Sequence, residues 1–196
     1  MSTEAPLILE GQRVTLLPLS LEHEAALNRA AADGELWKLF YTYVPAADGM
    51  RAYIEKALQA AEAGTQYPFV IVDRADARVV GSTRYMNIDV QNRKREIGST
   101  WLARSAQRTA INTEAKFLLL RHAFEALQCI RVEFVTDVLN EPSRAALMRI
   151  GAKQEGILRK HMIMPGGRHR DSVCFSIVDT EWPEVRASLL ARLEQT

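Results

Sequence analysis

The chain has 196 residues, of which 47% are hydrophobic and 25% charged, as expected for one soluble globular domain with a substantial core. Its 25 basic and 24 acidic side chains leave a net charge of +1, so no overall field favours nucleic acid or an anionic membrane as a partner, although a local basic cluster remains possible. No apolar run approaches the roughly 18 residues that span a bilayer, and the opening Met1-Ser2-Thr3-Glu4 does not match a secretory leader. We expect a single domain over 1–196, located in the cytoplasm.

The cysteines and histidines predict neither a disulfide framework nor a metal site. Cys129 and Cys174 each lie in an apolar or strand-like run, which favours buried free thiols in a reducing compartment. The four histidines show no metal-ligand spacing with one another or with either cysteine.

In chain order, the first half predicts one strand, two helices and then three strands. A strand over 13–19 is followed by Ser20, a good N-cap for a helix over 21–32. After Asp33-Gly34 and an aromatic-rich stretch, a second helix is predicted over 49–63, ended by Gly64. Strands over 69–72, 79–83 and 94–102 then form an antiparallel meander, because a short polar turn joins the first two.

The second half predicts a helix, a strand, another helix, a hairpin and a last helix. Phe117, Leu120, Phe124 and Leu127 recur near helical spacing. A strand over 130–136 and a helix over 140–150 follow, then strands over 156–164 and 169–178 around a Pro-Gly-Gly turn, and a helix from about 183. The elements mix without regular βαβ alternation, so we predict an α+β fold with a single mixed sheet. A doubly wound dinucleotide-binding fold is disfavoured, because Gly11 alone does not supply its glycine-rich first turn.

The segment 107–114 joins a predicted strand to a predicted helix. The first amides of a helix have no partner within it, and the helix dipole adds positive charge there, so the main chain of this segment could hold a phosphate. An ordinary strand-to-helix turn explains the segment equally well when it is considered alone.

The order of these elements resembles that of the GNAT N-acetyltransferases, with the RimJ/RimL-type branch most similar. The residues that carry the resemblance are 107–116, Asn140-Glu141-Pro142-Ser143-Arg144, Ile150-Gly151-Ala152 and the Gly-rich hairpin, and it extends over about 9–182. It implies a GNAT-like, mostly antiparallel sheet with helices on both faces and a central, splayed pair of parallel strands, which end at Leu102 and Val138. It also implies acetyl-CoA as the acyl donor.

The resemblance further implies which residues hold the donor. The loop after the first parallel strand would bind pyrophosphate, although Ala110 and Asn112 stand where the family usually has glycines. Asn112 could cap the following helix, with Glu114 in its first turn, while Arg104 and Arg108 could add positive charge or be solvated surface side chains. The expected cofactor-binding residues are Trp101, Leu102, Arg104, Gln107, Arg108, Thr109, Ala110, Ile111, Asn112, Thr113, Asn140 and Ser143.

Two residues are candidates for catalysis. Glu96 would take the proton of the attacking amine, directly or through water; otherwise it is a surface glutamate that pairs with the basic residues 93–95. Ser143 would protonate the leaving thiolate, a role that water could also fill, and Asn140 would cap a helix near the pantetheine arm. A backbone N–H at Trp101 or Leu102 would stabilise the oxyanion.

The predicted activity is transfer of acetyl from acetyl-CoA to a primary amine in a ternary complex. A protein N-terminus, an amino acid or a small amine would each suit the scaffold, and a non-catalytic acyl-CoA-binding or regulatory module is the alternative. His161 could belong to a wall of the site or be a surface strand residue, and a homodimer is left open. One or two of five aromatic residues are expected to line the acceptor cleft: Trp37, Phe40, Tyr41, Tyr43 and Tyr85.

Overall fold

The computed structural model describes residues 6–195, and its strands form one eight-stranded sheet. The strands are β1 (Leu9–Glu10), β2 (Val14–Pro18), β3 (Tyr67–Asp73), β4 (Arg78–Asp89), β5 (Lys94–Leu102), β6 (Arg131–Asp137), β7 (Lys153–Ile163) and β8 (His169–Val178). The helices are α1 (Glu24–Ala32), α2 (Met50–Glu62), α3 (Ala110–Arg121), α4 (Glu141–Arg149) and α5 (Trp182–Glu194). The strand order is β1-β2-β3-β4-β5-β6-β8-β7, and among these eight strands of residues 6–195 only β5 and β6 pair in parallel.

The parallel pair β5–β6 is splayed. The two strands pair only from Lys94 with Arg131 to Glu96 with Glu133, after which each continues without the other. On the opposite side of β5, the register with β4 shifts between Ser82 and Arg84, where β5 has one extra residue and Ser99 adopts a φ of 46°. An extra residue of this kind bends a strand, so the bulge accompanies the departure of β5 from β6. The predicted α+β sheet with a splayed central pair is confirmed.

Helices cover both faces of the sheet. Successive residues of a strand point to opposite faces, and on β4 the Tyr85 hydroxyl donates to the Leu119 carbonyl of α3 at 2.6 Å, whereas the neighbouring Arg84 lies against Tyr53 of α2. On the α3 face, Trp182 of α5 stacks on two phenylalanines, with ring centroids 6.2 and 5.3 Å apart. The α3 face and the α1–α2 face are therefore distinct environments.

The structure differs from the predicted elements at several boundaries; β7, for example, begins at Lys153 and not at 156. β1 was not predicted, because two residues are too short for a periodic pattern. β4 continues to Asp89, beyond the predicted 79–83, since polar residues facing the helices interrupt its apolar pattern. α3 is followed directly by a π-helical segment, His122–Ala126. Both cysteines are free thiols, with Cys129 buried, and within residues 6–195 no helix is long and apolar enough to cross a membrane.

Glu114 connects α3 to the start of the sheet. It is buried, and its two carboxylate oxygens accept the N–H groups of Gln12 and Arg13 at 3.0 and 2.7 Å. A Cβ at Gly11 would lie 2.7 Å from the carboxyl carbon, so this turn fits closely over the side chain. The expectation that Glu114 lies in the first turn of the helix is wrong, since α3 begins at Ala110 and Glu114 is its fifth residue.

We expect Glu114→Gln to lower the free energy of unfolding by about 1 to 3 kcal/mol, because an amide cannot accept both backbone N–H groups and presents its own NH₂ to one of them. Urea unfolding monitored by circular dichroism measures the loss. Glu62→Gln, at an exposed position of α2, is the matched control and should change stability by less than about 0.5 kcal/mol. Equal stability of the two variants would contradict this role of Glu114.

Candidate functional site

The candidate site lies where β5 and β6 separate. Because the two strands are parallel, their carboxyl ends emerge at the same edge of the sheet, and each is followed by a helix: α3 after β5, and α4 after β6. Backbone groups of β5 beyond Glu96 have no partner strand on the β6 side. Such a gap offers unpaired main-chain donors to a ligand.

The backbone of Leu102 points into this gap. The N–H of Ala103 donates to the Val80 carbonyl of β4 at 2.7 Å, and peptide groups alternate in direction along a strand, so those of Trp101 also face β4 and those of Leu102 face away from it. The Leu102 carbonyl accepts Gln107 Nε2 at 2.9 Å. This geometry favours Leu102 over Trp101 as a donor to a ligand in the gap, while the Trp101 indole N–H bonds the Tyr53 hydroxyl at 3.2 Å.

The loop before α3 turns at Arg108 and is capped by Thr109. Arg108 has a φ of 62°, and Thr109 Oγ1 accepts the N–H of Ile111 at 3.3 Å. The expectation that Asn112 caps the helix is wrong, because a threonine with extended backbone already does so, and Asn112 is the third residue of α3. The left-handed position thus falls on Arg108, so the helical Ala110 and Asn112 need not be glycines.

Few main-chain donors remain available at the start of α3. The first N–H groups of a helix lack carbonyl partners within it. Thr109 satisfies the N–H of Ile111, and that of Thr113 is far enough along to bond the Thr109 carbonyl in the regular helical pattern. The N–H groups of Ala110 and Asn112 are therefore the best placed to hold an anion. The side chains of Arg104 and Arg108 are exposed and form no ion pair within residues 6–195.

Glu96 is a buried carboxylate at the last paired position of β5. Its relative exposure is 8%, and Asn87 Nδ2 donates to its Oε2 at 2.8 Å. Burial raises the pKa of Glu96, and repulsion from Glu133 adds to this, while the Asn87 hydrogen bond and the cations Arg170 and Lys116 oppose it. The alternative of a surface glutamate paired with the basic residues 93–95 is wrong, because no such pair forms.

Glu96 faces the same side of the sheet as α1 and α2. Its partner on β4 is Met86, and the next pair along is Gly98 with Arg84. A Cβ at Gly98 would lie 2.9 Å from Glu96 Oε1 and 2.8 Å from Met86 Sδ. The missing side chain at Gly98 therefore lets the Glu96 carboxylate and the Met86 thioether pack against the β5 backbone, where a Cβ would displace them.

Asn140 and Ser143 lie at the start of α4. Asn140 is its N-cap, as predicted, and Oδ1 accepts the N–H of Ser143 at 3.1 Å. The Ser143 side chain is half-buried, and its hydroxyl forms no hydrogen bond with any residue from 6 to 195. The hydroxyl is thus free to interact with a ligand in the gap.

The aromatic candidates divide between core and surface. Tyr85 is fully buried and belongs to the core: its ring packs against Phe69 on the α3 face. Trp37, Phe40 and Tyr43 are exposed on the segment between α1 and α2, and Tyr41 is half-buried.

An ion pair connects the hairpin β7–β8 to this aromatic segment. Arg168 pairs with the buried carboxylate of Asp137 at the end of β6 and donates to the Phe40 carbonyl at 3.2 Å. His161 of β7 is exposed and lies 3.0 Å from the Ser172 hydroxyl. The hairpin and the α1–α2 segment thus border the gap on the same side.

The structure also shows charged groups that the sequence analysis did not select. Lys116 is buried on α3, donates to Thr100 Oγ1 at 2.6 Å, and has its pKa lowered to about 7 by burial. The sequence feature that could have identified Lys116 as a buried cation is its position within an apolar helical run. A cavity of about 580 Å³ also lies beside the start of α3, where it is lined by Arg13, Arg74 and Arg78 among others.

Comparison with known proteins agrees with this geometry. The model of the acetyltransferase (GNAT) domain family matches residues 13–153. The chain is 36% identical over 141 residues to the Bacillus subtilis (strain 168) protein named ribosomal N-acetyltransferase YdaF, covering 72% of this chain and 69% of that protein. Among solved structures, a GCN5-related N-acetyltransferase from Brucella melitensis has a TM-score of 0.85 and 32% identity, covering 98% of this chain and 87% of the other. Mycobacterium smegmatis RimJ in complex with CoA-disulfide has a TM-score of 0.82 and 26% identity, with 95% of each chain covered. The chain belongs to the GNAT acetyltransferase family.

Proposed function

We propose that this GNAT acetyltransferase moves the acetyl group of acetyl-CoA to a primary amine by direct transfer in a ternary complex, with Glu96 as general base. The observation that carries the proposal is the buried carboxylate of Glu96 at the point where β5 leaves β6. A carboxylate with a raised pKa is a stronger base than an exposed one, which suits removal of an amine proton.

The gap between the strands provides donors for the acetyl-CoA co-substrate. The N–H of Leu102 faces the gap and would stabilise the oxyanion that develops on the thioester carbonyl. The N–H groups of Ala110 and Asn112 would hold the pyrophosphate at the start of α3. The RimJ structure with a bound CoA-disulfide, which shares the fold, supports coenzyme A as the ligand.

Ser143 would act on the leaving thiolate. Its hydroxyl is unpaired at the start of α4 and could donate to the sulfur. A thiol with a pKa of about 8.5 already leaves without full protonation, so Ser143 contributes less to the rate than Glu96 does.

The name of the Bacillus subtilis relative, a ribosomal N-acetyltransferase, favours an amine on a protein as the acceptor and a cytoplasmic location. The exposed aromatic residues Phe40 and Tyr43 beside the gap are consistent with a peptide acceptor, because such side chains commonly contact polypeptide partners. A small amine or amino acid remains compatible with the same catalytic groups.

We expect Glu96→Gln to lower kcat/KM about 100- to 10,000-fold, the usual contribution of a general base, while coenzyme A binds as in the wild type. Thiol release from acetyl-CoA with a panel of peptide N-termini and small amines measures the rate, and calorimetry measures binding. Glu133→Gln, which removes the neighbouring carboxylate, is the control and should retain activity. Tight coenzyme A binding by the wild type without turnover of any amine would instead indicate a non-catalytic module.

The pH profile provides a second readout of the same group. Only ionised Glu96 accepts a proton, so kcat/KM should rise with pH through the Glu96 pKa, which burial places above that of an ordinary glutamate. Asn87→Gly removes a hydrogen bond that favours ionised Glu96, so the acidic limb of the profile, where kcat/KM rises with pH, should move to higher pH. Glu133→Gln removes a repulsive charge and should move this limb to lower pH. If the limb has the same midpoint in all three proteins, Glu96 is not the base.

Two substitutions of Arg108 distinguish the effect of the loop conformation on coenzyme A binding from the effect of the arginine charge. Both Arg108→Gly and Arg108→Ala remove the guanidinium, but only glycine adopts the observed φ of 62° without strain. If the loop holds pyrophosphate in this conformation, the glycine variant should bind coenzyme A about threefold to tenfold more tightly than the alanine variant in calorimetry. Equal affinities would show that the loop changes conformation on binding.

A further inference from the structure

Arg84 is a buried cation whose hydrogen-bonding capacity is mostly unused. Its relative exposure is 6%, and Nη1 donates to Gln66 Oε1 at 3.0 Å. The guanidinium carbon lies 4.9 Å from the centroid of the Tyr53 ring. Its Nε and Nη2 are buried and have no hydrogen-bond partner, and no carboxylate forms an ion pair with it within residues 6–195.

The unpaired donors of buried Arg84 destabilise the protein when no ligand is bound. A guanidinium carries five N–H donors, and buried polar groups in native proteins are almost always paired. A buried charge without a counter-ion costs more than an unpaired neutral group, and stacking on an aromatic ring offsets only part of that cost. An acceptor oxygen with negative charge would satisfy the unpaired donors and compensate the charge at the same time.

Along the strands, Arg84 lies between the level of Glu96 and the level of Trp101, near the end of β5. It pairs across the sheet with Gly98, while the neighbouring pairs on the same face are Met86 with Glu96 and Ser82 with Trp101. Paired residues of antiparallel strands point to the same face, so Arg84 and Glu96 are both on the α1–α2 face. Arg84 is on β4, and its partner Gly98 follows Glu96 on β5. Arg84 is therefore nearer than Glu96 to the end of β5 that precedes the acetyl-CoA loop.

We propose that Arg84 binds a carboxylate of the acceptor, so that the preferred acceptor is a primary amine with a carboxylate close to the amine. The planar fork of a guanidinium matches two carboxylate oxygens, and the donors left unpaired at Nε and Nη2 have the side-on arrangement that such a bidentate pair uses. This inference rests on the proposed function, since it assigns part of the acceptor to that same site. An acidic residue at a peptide N-terminus has the required chemistry.

Tyr53 covers one face of the guanidinium. Its ring lies against Arg84, and its hydroxyl is held by the Trp101 indole N–H at 3.2 Å. The unpaired atoms are closed to solvent in the structure, so the side chains packed around the guanidinium must move for a carboxylate to reach its Nε–Nη2 edge. Tyr43, on the exposed aromatic segment, is its neighbour, with ring centroids 6.4 Å apart.

The test uses four tetrapeptide amides that begin with Asp, Asn, Glu or Gln and continue with three alanines, so that the side chain supplies the only carboxylate. Binding to the protein saturated with coenzyme A is measured by calorimetry, and kcat/KM is measured from thiol release with acetyl-CoA. In the wild type we expect the acidic peptide of each pair to exceed its amide by about 10- to 100-fold in both quantities. In Arg84→Met that ratio should fall to about 1, because the acidic peptides lose their advantage over the amides.

Two further variants keep the test decisive. Arg121→Met removes an arginine that lies 5.5 Å from the Phe117 ring, on the α3 face, and should leave the ratio unchanged. Arg84→Lys keeps the charge without the fork and should reduce the ratio without abolishing it; it also replaces the methionine variant if thermal melting shows that the latter is unfolded. A ratio near 1 in the wild type, or an unchanged ratio in Arg84→Met or Arg84→Lys, overturns the proposal. Selective binding of acidic peptides without acetylation of any peptide would retain the carboxylate site and overturn the proposed function.

Discussion

The separation of β5 from β6 is the feature on which the rest of the site depends. Three paired positions hold the strands together, and beyond Glu96 the backbone of β5 turns its unpaired N–H groups toward a gap. The bulge at Ser99 and Thr100 coincides with this change of direction, and from the α3 face Lys116 holds the Thr100 hydroxyl, which is also 2.7 Å from that of Thr83. The opening is thus supported by side chains on the face opposite to Glu96.

Buried charge is concentrated around this opening. Glu96, Lys116 and Arg84 are each less than 10% exposed, and Asp137 is buried at the end of β6 with Arg168 as its partner. Burial opposes the charged form of both Glu96 and Lys116 and shifts their pKa values toward each other. Such groups reduce stability unless they are paired, so their concentration at one opening is the pattern expected of a functional site.

Most of the fold could be predicted from the sequence, because long periodic segments and strong turn residues define its elements. The Gly-rich hairpin and the Asn140 cap are examples, and the structure places both as predicted. The predicted start of α3 was wrong, because Thr109 and Asn112 are both good N-cap residues and the sequence alone cannot choose between them. The structure uses Thr109. Tyr85 and Arg84 show a further limit: adjacent residues on one strand face different helices, so which aromatic residue enters the core, and which cation is left unpaired, depends on tertiary packing.

The central claim is that coenzyme A occupies the gap between β5 and β6, and backbone amide chemical shifts during a coenzyme A titration test it most directly. The account predicts the largest changes at Leu102, Ala110, Asn112 and Ser143, whose groups face or border the gap. Changes at Arg13, Arg74 and Arg78 of the cavity beside the α3 start, with Leu102 and Ser143 unaffected, would contradict it.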